Sequence, residues 1–124
     1  MSRFFVIAGA LSAFIAVSMG AFGAHGLSRK LSPENLDIFE IGARYQMYHA
    51  IAMVVVGVSM ERWSRDELAV GGWCFLIGSV IFSGSLYALS LSGVRWLGAI
   101  TPIGGVAFLL GWLSLAWGVW RGGS

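Results

Sequence analysis

Between Arg3 and Arg29 not one Asp, Glu, Lys or Arg interrupts the chain, and the same holds between Arg44 and Glu61, Glu67 and Arg95, and Arg95 and Arg121. Four uncharged stretches of this length leave few options. A chain of 124 residues that is 57% hydrophobic and only 11% charged has too little polar surface to cover a globule in water, where about a quarter of residues are normally charged. The pattern predicts an integral membrane protein of the all-α class: four transmembrane helices in an up-down-up-down bundle forming one domain over 1–124.

The expected spans are residues 4–24, 45–60, 68–91 and 97–120. The second is short, ~24 Å by helix rise, against a hydrocarbon core of about 30 Å. Met1 to Gly23 also fits a secretory signal, with Arg3 before an apolar run and small residues at Ala21 and Gly23,. Cleavage there would remove a segment rich in helix-packing residues, so we read it as a retained first span.

Ahead of the second span, Ser32-Pro33-Glu34 is a helix-start signal: a capping hydroxyl, a proline suited to the first helical position and an acid at the positive helix end,. Leu36, Phe39, Ala43 and Met47 follow helical spacing,. An amphipathic interfacial helix over 33–44 is expected, running into the second span. The fourth span has two readings. Thr101-Pro102 either kinks a helix that begins near Trp96 or starts one, with Thr101 as cap,.

Gly9 and Ala13, then Ala16, Gly20 and Ala24, repeat small residues at near-four-residue intervals; Ser79 with Ser83 and Ala107 with Gly111 do likewise. Membrane helices pack closely along such positions, either within the bundle or between copies of it. Cys74 is the only cysteine, so no intrachain disulfide forms. The net charge of +2 is spread over loops and ends and gives no nucleic-acid surface. Basic residues tie in number across the two sides, Arg3, Arg62, Arg65 and Arg121 against Arg29, Lys30, Arg44 and Arg95. Acids near the second set tip the expectation to both termini in the cytoplasm.

With no charge inside the spans, an ion-coupled carrier is disfavoured. The remaining polar groups are His25, Tyr45, Gln46, Tyr48, His49, Ser83, Ser85, Tyr87 and Thr101, all mapping to one side of the membrane. His25 and His49, on neighbouring helices, are the candidates for haem or metal ligation. The simpler alternative makes His25-Gly26 a helix stop and His49 an interhelical hydrogen-bonding group. Tyr45 and Tyr48 could line a lipid or quinone pocket. No catalytic triad, phosphate loop or carboxylate pair is present.

GAFGAHGL (Gly20 to Leu27), ARYQMYHA (Ala43 to Ala50), GSLYAL (Gly84 to Leu89) and TPIGG (Thr101 to Gly105), taken in order, resemble the transmembrane protein 256-like family, also called domain of unknown function 423. The resemblance implies a small multi-pass protein of the bacterial inner membrane and singles out His25, Tyr45, Gln46 and His49. It implies no reaction. The expectation is therefore a non-enzymatic protein without a cofactor, acting through helix packing as a homo-oligomer or an accessory subunit of a larger membrane complex. The alternative is a ligand-binding bundle for lipid, quinone, haem or metal in the half containing His25 and His49, and a small channel or carrier comes third.

Overall fold

A computed structural model describes residues 1–64 and 66–122, so Arg65, one of the basic residues weighed for orientation, lies outside the described residues. Four long helices account for most of them: α1 (Ser2–Phe22), α2 (Pro33–Arg62), α3 (Asp66–Ser92) and α4 (Thr101–Gly122). A π-helical turn, Gly23–Leu27, extends α1, and a 3₁₀ turn, Arg95–Ala99, precedes α4. Three helical runs are long and apolar enough to cross a membrane: Ser2–Leu27, Asp66–Ser92 and Arg95–Gly122. α2 is not among them, because its first half carries Glu34, Asp37, Glu40 and Arg44 and its middle carries Tyr45, Gln46, Tyr48 and His49.

The amphipathic segment over 33–44 runs into the next segment without a break, making a single helix of 30 residues, ~45 Å long. The start is as anticipated: Ser32 accepts a hydrogen bond from the Asn35 N–H at 3.1 Å, with Pro33 in the first turn. Nothing after Met47 breaks the helical pattern. Phe39 is fully buried against Gly23 and Tyr87, which locks the first half of α2 to its neighbours rather than leaving it as a loose connector.

α4 begins at Thr101, so the proline starts a helix and does not kink one. The apolar run that contains residues 97–120 is one candidate span, Arg95–Gly122, whose first turn, Arg95–Ala99, is 3₁₀. The first helical run ends at Leu27 with His25 in its last turn, as expected, but Gly26 is not a left-handed cap. The backbone stays helical through Gly26 to Leu27 as a π turn, and the only positive-φ glycine among the described residues is Gly93. The turn brings Gly26 beneath the Phe22 ring, where a Cβ would lie 2.8 Å away.

Each helix packs antiparallel to the one before it. A Cβ on Gly9 would stand 2.6 Å from the Ala50 carbonyl, and one on Gly57 2.7 Å from that of Ser2. Across α3 and α4, Gly104 meets the Phe82 backbone at 2.5 Å and Gly111 the Phe75 ring at 2.6 Å on the same measure. α1 and α4 share no packed interface. They lie on opposite faces of the central α2–α3 pair, α1 reaching across to Trp73 through Phe5 and α4 reaching across to His49 through Phe108.

The small-residue seam on α1 differs from the four-residue stripe read in the sequence. Phe5, Gly9, Ala16 and Gly23 are buried; Ala13 and Gly20 are half-buried and Ala24 is exposed. Each four-residue step turns the helix ~40° past a full turn, carrying Gly20 and Ala24 out of the seam, whereas seven-residue steps hold it. A Cβ on Gly20 would meet nothing within 4 Å.

Candidate functional site

Several polar groups that pair between the helices lie near the helix midpoints, while the buried Ser83, Ser85 and Ser90 lie farther along α3. Ser12 is the central residue of α1, Ser79 that of α3, Gln46 and His49 straddle the centre of α2, and Trp112 sits at the centre of α4. The polar residues run from the helix midpoints toward one end of the bundle: Gln46 and His49 lie near the centre of α2, Ser83 one turn past the centre of α3, and Ser85, Tyr87, Thr101 and His25 nearer the end where α1 stops.

One set ties three helices together. Gln46 donates from Nε2 to the Ser12 carbonyl and hydroxyl at 3.3 and 3.2 Å, and its Oε1 accepts from the Tyr87 hydroxyl at 2.7 Å. One turn earlier on α2, the Gly42 carbonyl accepts from Ser83 at 2.7 Å. A neutral amide between apolar helices is costly unless its donors and acceptors are filled, and here each end of Gln46 has a partner.

A second set fixes His49. Its Nδ1 lies 2.7 Å from the Tyr45 carbonyl, and Trp112 donates its indole N–H to Nε2 at 3.1 Å. Indole is a donor only and a carbonyl an acceptor only, so Nδ1 carries the proton and the ring is neutral. The Phe108 ring stacks on it at 3.5 Å, nearly parallel at 4°. Both ring nitrogens are engaged, and the one free lone pair, on Nε2, is taken by the indole N–H.

Nor do the two histidines meet. Gly23 packs on Phe39, about ten residues and ~15 Å along α2 from His49, and His25 is exposed. Among the described residues no group of three or more His, Cys, Asp or Glu is gathered. Thr101 does not cap α4 but joins Ser85. The Ser85 hydroxyl donates to the Phe82 carbonyl at 2.9 Å, so Thr101 donates to Ser85 at 2.5 Å.

Two open grooves result from the offset of α1 and α4. Between α2 and α4 a groove of about 700 Å³ is walled by Tyr45, Tyr48, Phe82, Gly105 and the His49–Phe108–Trp112 group. Tyr45 and Tyr48 are 38% and 50% exposed, and among the described residues neither hydroxyl has a hydrogen-bond partner. On the opposite face, a groove of about 480 Å³ runs between α1 and α3 with Gln46, Ser79 and Tyr87 in its lining.

Ser12, Phe108 and Trp112 belong to these sites and were not singled out from the sequence. Trp112 carried a usable signal. Tryptophans concentrate at membrane interfaces, so one in the middle of an apolar run marks an indole N–H in need of a partner.

α2 also carries a charged outer face. Because Ser12 meets Gln46 and Gly23 meets Phe39, the segment of α2 containing Glu40 and Arg44 runs alongside the apolar second half of α1. Asp37 and Arg44 are exposed there and Glu40 is half-buried.

A family model described as protein of unknown function (DUF423) matches residues 19–105. A membrane protein of Staphylococcus saprophyticus named as UPF0382 is 48% identical over 96% of this chain and 98% of its own length. Similar proteins of the same designation come from Bacillus subtilis, 44% identical over 91% of this chain and 93% of its own, and Haemophilus influenzae, 46% identical over 90% of each. No solved structure matches the chain.

Proposed function

Starting from the fact that the chain belongs to the family of membrane proteins described as protein of unknown function (DUF423), we propose that it is a non-enzymatic, four-span subunit that assembles with copies of itself through the outer face of α2. One observation carries this reading: Asp37, Glu40 and Arg44 sit on α2 beside the apolar second half of α1. Charges at that depth facing lipid are costly. Arg44 of one copy against Asp37 and Glu40 of another satisfies them, because acid and base on one face make it self-complementary. The reading includes a single inner-membrane domain with cytoplasmic termini, and no cofactor.

Charge swapping tests it. In mild detergent and in native membranes, Arg44→Glu should weaken self-association, measured by light scattering and crosslinking. The double variant Glu40→Arg with Arg44→Glu should regain association with itself while pairing poorly with wild type. A wild-type chain that is monomeric in both settings, or a double variant no better than the single, defeats the proposal.

The α2–α4 groove supports a second reading, a ligand-binding bundle. Its aromatic wall suits an acyl or isoprenoid chain, and the free hydroxyls of Tyr45 and Tyr48 offer hydrogen bonds to a lipid head group or quinone oxygen. Gly105 lines the groove, and a Cβ there would meet only Phe82, at 3.9 Å. Gly105→Leu should fill the groove without disturbing the fold and remove any lipid seen by native mass spectrometry. Copurified lipid that survives this change counts against the reading.

A further inference from the structure

We propose that the cavity between the start of α1 and the end of α2 binds the head group of a phosphatidylethanolamine-type lipid, with Arg3 on its phosphate and Glu61 on its primary ammonium. The cavity holds about 320 Å³, within the range of small-molecule sites. Gly57 forms its floor: a Cβ there would stand 2.7 Å from the Ser2 carbonyl and 2.6 Å from Val6, so no side chain fills the space. Arg3 and Ile7, one turn apart on α1, make one wall, and Glu61 and Val58, one turn apart on α2, make the other,. The two walls carry opposite charges that do not pair with each other. Glu61 accepts from the Ser2 hydroxyl on Oε1 at 3.0 Å, which leaves Oε2 to accept from a ligand. Arg3 has no hydrogen-bond or ion-pair partner among the described residues. Unlike charges that share a cavity without meeting fit a ligand that carries the complementary pair.

Depth and charge select the ligand. Ser2 begins α1 and Arg62 ends α2, so Arg3 and Glu61 stand at the head-group level, where the Arg62 guanidinium also lies over the Trp63 ring at 5.5 Å,. One turn deeper, Ile7 and Val58 are 51% and 61% exposed and purely apolar. A charged mouth over an apolar slot matches the polarity profile of a phospholipid, with the head group at the mouth and its first methylenes against Ile7 and Val58. The arginine fork suits phosphate oxygens. The Glu61 carboxylate needs an N–H donor, which a primary ammonium supplies and a trimethylammonium lacks. A glycerol head group brings no cation to Glu61 and sets the phosphate charge against it. The site lies ~25 Å along α2 from Arg44 and depends on neither reading above.

The test uses the full chain, delipidated in mild detergent and offered equimolar dioleoyl phosphatidylethanolamine, phosphatidylcholine and phosphatidylglycerol, with bound lipid counted by native mass spectrometry. Wild type should retain phosphatidylethanolamine in preference to the other two. Arg3→Gln should weaken its binding about tenfold, the worth of one charge-assisted hydrogen bond. Glu61→Gln keeps an acceptor but loses the charge, so the preference for phosphatidylethanolamine over phosphatidylglycerol should vanish. Both side chains are exposed, so each variant should keep the wild-type circular dichroism; if one does not, the other decides. Water-soluble phosphoethanolamine should not displace the lipid, because it has no chain to lie against Ile7 and Val58. Equal retention of the lipids by wild type, or unchanged selectivity in either folded variant, overturns the proposal. Displacement by phosphoethanolamine at equal concentration assigns the cavity to a free solute and overturns it as well.

Discussion

Trp112 of α4 donates its indole N–H to Nε2 of His49 on α2 at 3.1 Å, although the main partner of α4 is α3. This bond and the Phe108 stack carry α4 across the α2–α3 pair. They also set the histidine's tautomer, because a ring nitrogen that accepts from indole holds no proton itself.

Nitrogen NMR of labelled protein in bilayers should therefore show His49 as the neutral form protonated on Nδ1. Trp112→Phe keeps the ring contacts and deletes the donor. We expect a loss of about 1 kcal/mol in unfolding experiments in mixed micelles, in line with interhelical hydrogen bonds in membranes, together with a changed nitrogen shift at Nε2. An unaltered Nε2 signal would refute the pairing.

Glycines that carry backbone contacts should separate from those that do not. Gly9→Ala and Gly104→Ala place a Cβ 2.6 Å and 2.5 Å from backbone atoms of the facing helix, which forces the helices apart at ~1–3 kcal/mol. Gly20→Ala has no neighbour within 4 Å and should be neutral or slightly stabilising through helix propensity. Parallel thermal melts of the three variants check the order.

Tyr87→Phe leaves the Gln46 Oε1 without its partner and should destabilise by about 1 kcal/mol. Gln46→Leu removes the amide altogether and with it the need for the Ser12 and Tyr87 bonds. The double variant Gln46→Leu with Tyr87→Phe should then cost less than the sum of the two single changes, a coupling that a double-mutant cycle of unfolding free energies measures.

Thr101→Val deletes the proton donated to Ser85 while keeping Pro102 at the helix start. The helix should still begin there, with a stability loss of about 0.5–1.5 kcal/mol. Circular dichroism would show unchanged helix content alongside a lower melting temperature.

Much of the fold was legible because the signals are local. Ser32-Pro33-Glu34 starts a helix by capping chemistry alone, whereas Thr101-Pro102 allowed either a kink or a start and only the folded chain decided for the start. What misled was distance along an axis. His25, Tyr45, Gln46 and His49 are close in loop topology, yet an unbroken α2 puts Phe39, which Gly23 packs on, about 15 Å along the helix from His49, and a turn that stays helical through Gly26 carries His25 on from there,. The four-residue reading of the α1 stripe failed for a related reason, since helical twist rotates such a stripe off its partner.

The uncharged stretches by themselves determined a helical membrane chain, because an apolar segment in lipid must satisfy its own backbone hydrogen bonds and the α-helix does so within one segment. The order of packing followed from short connections. Only the tertiary structure decided which polar groups meet. Gln46 finds Ser12 and Tyr87, His49 finds Trp112, and Ser79 finds no partner. Those outcomes depend on helix rotation and register, which the contacts of glycine with facing backbones set to within ångströms and which no local spacing encodes.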